Sequence, residues 1–177
     1  MAKSAEEFFR KYQKKLAETM RNLPAIIGEE AVNFSLGSFD QQAWSGSSQE
    51  VWAKRKNPTK WGKRDDESRS ILVKTGKMRR SIRVAQIQEA RVTIQAGGAD
   101  IPYARAHNFG FKGAVDQQVS EHTRRDRNGG TVKVSEHKRT IHQNIPQRRY
   151  IGGESDSPYL KMRIRRRSIA EIRKIIK

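Results

Sequence analysis

Val92, Ile94 and Ala96 alternate strictly with Thr93 and Gln95, and Gly97-Gly98 ends the run. A two-residue period sets one side of a strand against apolar partners and leaves the other in water. Any fold must therefore cover one face of a sheet. Just upstream, Ile82, Val84 and Ile87 lead into a polar turn at Glu89-Ala90, which supplies a neighbouring strand.

Helices at both ends can provide the cover. Phe8, Phe9, Tyr12, Leu16, Met20 and Leu23 recur at helical spacing behind a capping-box pattern at Ser4 and Glu7. Asn22-Leu23-Pro24 predicts a break, because an interior proline removes a donor. A second helix is then expected to bury Ile27, Ala31 and Phe34 and to end near Gly37. At the other end, Ser157 and Pro158 suit the cap and first residue of a C-terminal helix. At about 100° per residue, Leu160, Ile164, Ile172, Ile175 and Ile176 share one side of it. Arg163, Arg166, Arg167, Arg173, Lys174 and Lys177 share the other, with Arg165 alone on the apolar side. The six cations on the outer side are candidate contacts for DNA or a protein partner.

The fold class expected is α+β: N-terminal helices and a C-terminal amphipathic helix packed on a small, mostly antiparallel sheet, with a protruding β-hairpin arm. One domain over residues 1–177 divides into an N-terminal helical segment (1–39), a loop pinned by tryptophans (40–70), a core (71–111 and 145–177) and a hairpin insertion (112–144). The loop holds Trp44, Trp52 and Trp61 among polar residues, and short turns of helix are expected within it. Ile71-Leu72-Val73 predicts a short strand. Thr75 is placed to cap a helical turn over Gly76 to Ser81. Pro102 opens a short helix carrying YARAHNFG, Tyr103 to Gly110.

The hairpin insertion contains a near-repeat, VSEHTR at 119–124 and VSEHKR at 134–139, around Asn128-Gly129-Gly130. Asn-Gly and Gly-Gly accept the positive φ of a tight turn. A turn centred on Gly129-Gly130 sets His122 opposite His137; one centred on Asn128-Gly129 sets Glu121 opposite Glu136 instead.

Charge narrows the partners. The chain carries 37 Lys+Arg against 19 Asp+Glu, a net +18. Residues 1–42 balance six basic against six acidic side chains, so the whole excess lies beyond them. The basic part faces something anionic, either nucleic acid or an acidic protein. The chain has no cysteine, which removes disulfides, thiolate metal sites and cysteine nucleophiles. No apolar run approaches the roughly 20 residues that span a bilayer. MAKSAEEFF has neither the basic nor the apolar region of a secretion signal, and no membrane partner is expected.

Catalytic patterns are missing. There is no Gly-x-Ser-x-Gly elbow and no phosphate-binding glycine loop, and the carboxylates sit beside arginines or in polar loops. His122, His137 and His142 with Glu121 and Glu136 are the one place for a metal, and a metal-dependent nuclease is the reading they would support. Adjacent residues on a strand point to opposite faces, and structural zinc wants four ligands, so a solvated arm is preferred. No catalytic residue, cofactor or metal is assigned.

Four pieces then stand in order. Trp44 and Trp52 precede Leu72-Val73-Lys74-Thr75-Gly76-Lys77-Met78-Arg79-Arg80-Ser81-Ile82, followed by Tyr103-Ala104 with His107-Asn108-Phe109-Gly110, and by Ile145-Pro146-Gln147-Arg148-Arg149-Tyr150-Ile151-Gly152. This order, spanning about residues 40–152, resembles the tail completion, or virion morphogenesis, proteins of contractile-tailed phages, including the Mu-like ones. Arg149 departs from the pattern, standing where a second proline is expected.

The resemblance implies a non-enzymatic structural protein of the tail or neck, acting at the head–tail junction as a ring homo-oligomer and assembled in the host cytoplasm. Its partners would be itself and other tail or neck proteins, with DNA passing through the lumen. It marks Thr75, Gly76, Ser81, Tyr103, His107, Phe109, Gly110, Pro146, Arg148 and Gly152 as structural motif residues, with His107 packed between Tyr103 and Phe109. The rival from another class is a basic, sequence-nonspecific DNA-binding protein.

Overall fold

The computed structural model describes residues 2–55 and 68–176; Trp61 and Lys177 lie outside the described residues. The fold is α+β, with four helices and four two-stranded antiparallel ladders among the described residues.

Helix α1 runs unbroken from Ala2 to Gln41, with Ser4 inside it and Pro24 in its interior. The expected break at Asn22-Leu23-Pro24 is therefore absent. One interior proline costs about 3 kcal/mol, whereas packing holds the helix beyond it. Ala31, Phe34, Ser35, Ser38 and Phe39 are buried there, and Pro24 shares a crevice with Ile27, Leu160 and Ile164. Ahead of Pro24 most residues of the helix are exposed. Phe8, Phe9, Leu16 and Met20 are 56, 64, 45 and 51% exposed, so the apolar periodicity there marks an open face instead of core.

Beyond α1, the tryptophan-bearing segment forms a hairpin, β1 (Ala43–Ser45) with β2 (Gln49–Val51), in place of the helical turns expected. Trp44 and Trp52 are buried at 1 and 3% exposure, the anchoring role read for them. Residues 71–73 are a turn, not a strand: Leu72 has φ 62° and Val73 N–H donates to Ser70 O at 3.3 Å. Their side chains still pack on the core, held there by Gln42, whose side-chain oxygen accepts from Ile71 N–H.

Helix α2 (Lys77–Arg80) is capped by left-handed Gly76 with no side-chain cap. Thr75 Oγ1 does accept from Lys77 N–H, as expected of it, but at a long 3.5 Å. Strands β3 (Arg83–Gln88) and β4 (Arg91–Gln95) pair with a bulge at Ala85. Val84 and Ile87 would face opposite ways on a regular strand. The extra residue brings both to the face of Val92 and Ile94. That face meets α1, where a Cβ on Gly28 would lie 2.9 Å from a Val84 methyl.

Helix α3 (Ala104–Phe109) follows, then the arm, and finally α4 (Pro158–Ile176). Ser157 caps α4 as expected: its Oγ accepts from Leu160 N–H at 2.9 Å and donates to Ser45 O at 2.6 Å. α4 lies antiparallel along α1, with Leu160 packed on Ala31, Phe34 and Trp44, and Arg163 bonded to Glu30. A second cluster joins Phe39, Trp52, Met78, Ile82, Ile101, Ala104 and Tyr150.

Candidate assembly surfaces

The motif residues form a clamp around the root of the arm. The segment 146–152, without regular secondary structure, lies beside α3. Asn108 Oδ1 accepts from Tyr150 N–H and Ile151 N–H at 3.0 and 3.1 Å, and His107 O accepts from Arg148 N–H at 2.8 Å. Tyr150 hydroxyl donates to Ala104 O at 3.0 Å. Burial, reinforced by Tyr103, pushes that phenol up to about 12. Arg148 is buried with its Nε donating to Ala53 O at 3.0 Å, and Trp52 Nε1 donates to Arg149 O at 2.7 Å. Gly110, at φ 74°, takes the chain from α3 into the arm. A Cβ there would lie 3.1 Å from Gln147 N, so glycine alone fits between the two roots. Gly152 is pressed on Trp44 in the same way, at 3.1 Å.

Within this clamp the His107 ring meets Tyr103 edge-on at 6.0 Å between centroids, as expected, while Phe109 is 62% exposed. Asn108 is the buried polar residue of α3. His107 Nδ1 is buried without a hydrogen-bond partner among the described residues, and burial, then Arg148, lowers the pKa of the ring. Ser81 also ties elements together, donating to Met78 O at 2.6 Å and accepting from Gly97 N–H at 2.9 Å. Thr75 and Pro146 are exposed. Arg149 stacks 5.3 Å over Trp44 and pairs with Asp156 at 3.0 Å.

The arm consists of β5 (Phe111–Val119) with β8 (His137–Ile145) and, further out, β6 (His122–Arg125) with β7 (Thr131–Val134). Phe111 to Asn128 is roughly 56 Å of near-extended chain at about 3.3 Å per residue, nearly all of it exposed. Neither register read from the sequence occurs. Val119 pairs with His137 and His122 with Val134, which centres the turn on Asn128. Asp126 decides this: its carboxylate accepts from Asn128 N–H and Gly130 N–H at 2.9 and 2.7 Å, closing a three-residue loop with Gly129 at φ 83°.

In consequence the two V-S-E-H quartets lie across from each other about a local twofold. Each histidine bonds through Nδ1 to the carbonyl of its own serine at 2.9 Å, and the ladder is interrupted on both strands together. The glutamates are engaged symmetrically, Glu136 by Gln118 and Glu121 by Lys133. Among the described residues no group of three or more His, Cys, Asp or Glu could hold a metal ion.

On α4 the candidate cations divide. Arg163 is taken up by Glu30 at 2.6 Å, and Arg167 and Lys174 by Glu171, whose carboxyl the hydrogen bond from Lys174 holds below its usual range. Arg166 and Arg173 have no carboxylate partner among the described residues. Arg165, assigned to the apolar side from the sequence, is exposed and lines the outer face beside them. The outer face is not purely cationic either, since Met162 and Ile169 lie in it at 46 and 39% exposure. Their spacing of seven was the available signal for this second stripe.

The phage virion morphogenesis family model matches residues 3–165 of the 177. The chain belongs to the phage virion morphogenesis family. No curated protein and no solved structure matches it significantly. Membership in the phage virion morphogenesis family gives the chain a structural role in virion construction, alongside other virion components. The matched span takes in α1, the clamp, the whole arm and the first turns of α4, more than the residues 40–152 that carry the resemblance in the sequence. No helix among the described residues is long and apolar enough to cross a membrane.

Proposed function

We propose that the protein completes the tail at the head–tail junction as a non-enzymatic component, and that its copies associate into a ring whose lumen carries DNA. The open half of α1 carries this reading. Four large apolar side chains, Phe8, Phe9, Leu16 and Met20, stand at least 45% exposed along the first half of α1. A face of that kind on one protein marks an interaction site. The clamped arm supplies a second projection, since a lone two-stranded ribbon is marginal in water and gains from a neighbour. Motif residues act in this reading as the arm's foundation, not as reactive groups.

Light scattering of the purified protein followed by negative-stain imaging tests the proposal. Closed oligomers at modest concentration are expected, and Phe8→Asp with Leu16→Asp should leave monomers of unchanged melting temperature. A protein that stays monomeric at every concentration overturns it. The second reading, nonspecific DNA binding, draws on Arg166 and Arg173, which have no carboxylate partner among the described residues. It requires affinity for duplex DNA to fall steeply with salt, by about 0.9 of a log unit per neutralised phosphate for each tenfold salt increase.

A further inference from the structure

We propose that the outer face of α4 is a docking groove for an acidic amphipathic helix of another virion protein. This names the partner chemistry of one surface and rests on the assembly reading only for the existence of a protein partner. The buried stripe of α4 is Leu160, Ile164 and Ile175. Met162 and Ile169 lie on the opposite side of the helix and floor a shallow, open depression walled by side chains of α4 itself.

Cations rim that floor. Arg165, Arg166 and Arg173 line the groove with no carboxylate partner among the described residues, whereas the arginines that face α1 or Glu171 are paired. Apolar anchors seven residues apart, about 10.5 Å along the axis, fit i and i+7 side chains of a second helix. Arginines on both flanks then call for Glu or Asp beside those anchors.

Two other occupants fit worse. A duplex would set phosphates over Met162 and Ile169 and desolvate them with no apolar counterpart. A second copy could offer its own open helix face, the first half of α1. That stretch carries Arg10, Lys11, Lys14, Lys15 and Arg21 against Glu6, Glu7 and Glu18, so like charges would meet.

The test uses the full-length protein and a fluorescein-labelled synthetic helix with Leu at the seam positions and Glu flanking them. Its scrambled form and a labelled DNA duplex are the controls, all at about 0.15 M salt, where exposed charges are screened beyond roughly 8 Å. The designed helix should bind at least about tenfold tighter than the scramble, and Ile169→Asp or Arg166→Glu/Arg173→Glu should each weaken it by a similar factor. Those variants should melt like the parent and self-associate like it in light scattering, which separates this result from the ring proposal. Equal binding of helix and scramble, binding that survives Ile169→Asp, or displacement of the helix by duplex at lower concentration would overturn the assignment. The last of these would give the face to DNA.

Discussion

Asn108 holds two backbone N–H groups on one carbonyl oxygen, those of Tyr150 and Ile151, at a position 2% exposed. A buried donor left without its acceptor costs about 1 to 3 kcal/mol. Asn108→Ala should therefore cost about 2 to 4 kcal/mol, read as a lower urea midpoint at unchanged slope. His107 acts through pH. Its folded pKa lies below the ordinary 6.5, so the unfolded chain binds its proton more readily. The contribution is present above about pH 6.5 and lost as pH falls through the folded value, at no more than about 1.4 kcal/mol per unit. His107→Gln should flatten the fall in melting temperature between pH 7 and about pH 5; an identical pH profile for parent and variant would contradict this.

Among the elements, those fixed by local chemistry were readable from the chain. Ser157-Pro158 starts α4, the alternation at 92–96 is β4, and Glu89-Ala90 is the turn between β3 and β4. What misled was context. Pro24 signals a break, but packing on both α4 and the β3–β4 ladder outweighs one lost hydrogen bond. Pro24→Ala is thus expected to raise stability by about 1 to 3 kcal/mol in thermal melts. The arm's register hid because Asp126 caps the turn with its carboxylate, a bond that an Asn-Gly pattern does not announce. In the clamp, the motif pointed to the right segments and to buried Arg148, yet the buried polar residue of α3 is Asn108, beside the histidine. α4 permits a direct contrast. Leu160→Ala, at a site 2% exposed, should cost about 2 to 5 kcal/mol. Ile169→Asp, on the outer face, should stay within about 0.5 kcal/mol of the parent in the same melts.

For the whole molecule, the arm is rooted by the clamp and contributes little to either hydrophobic cluster. Val119 and His137 are paired neighbours, so Asn-Gly in place of residues 120–136 can close the remaining ladder with a two-residue turn. This shortened protein should melt within a few degrees of the parent, because a surface loop of this length adds little to global stability. Its assembly by light scattering is expected to weaken; full assembly would remove the arm from the contact surfaces.

The local twofold in the arm carries a consequence of its own. The same quartet on two antiparallel strands sets valine against histidine at both ends, so each copy meets the same groups whether the opposing strand belongs to its own chain or to a neighbour. Gln118 or Lys133 would find a glutamate in either case. Two molecules brought tip to tip can therefore trade outer ribbons at that joint with little change in side-chain partners, which makes it the natural seam for strand exchange.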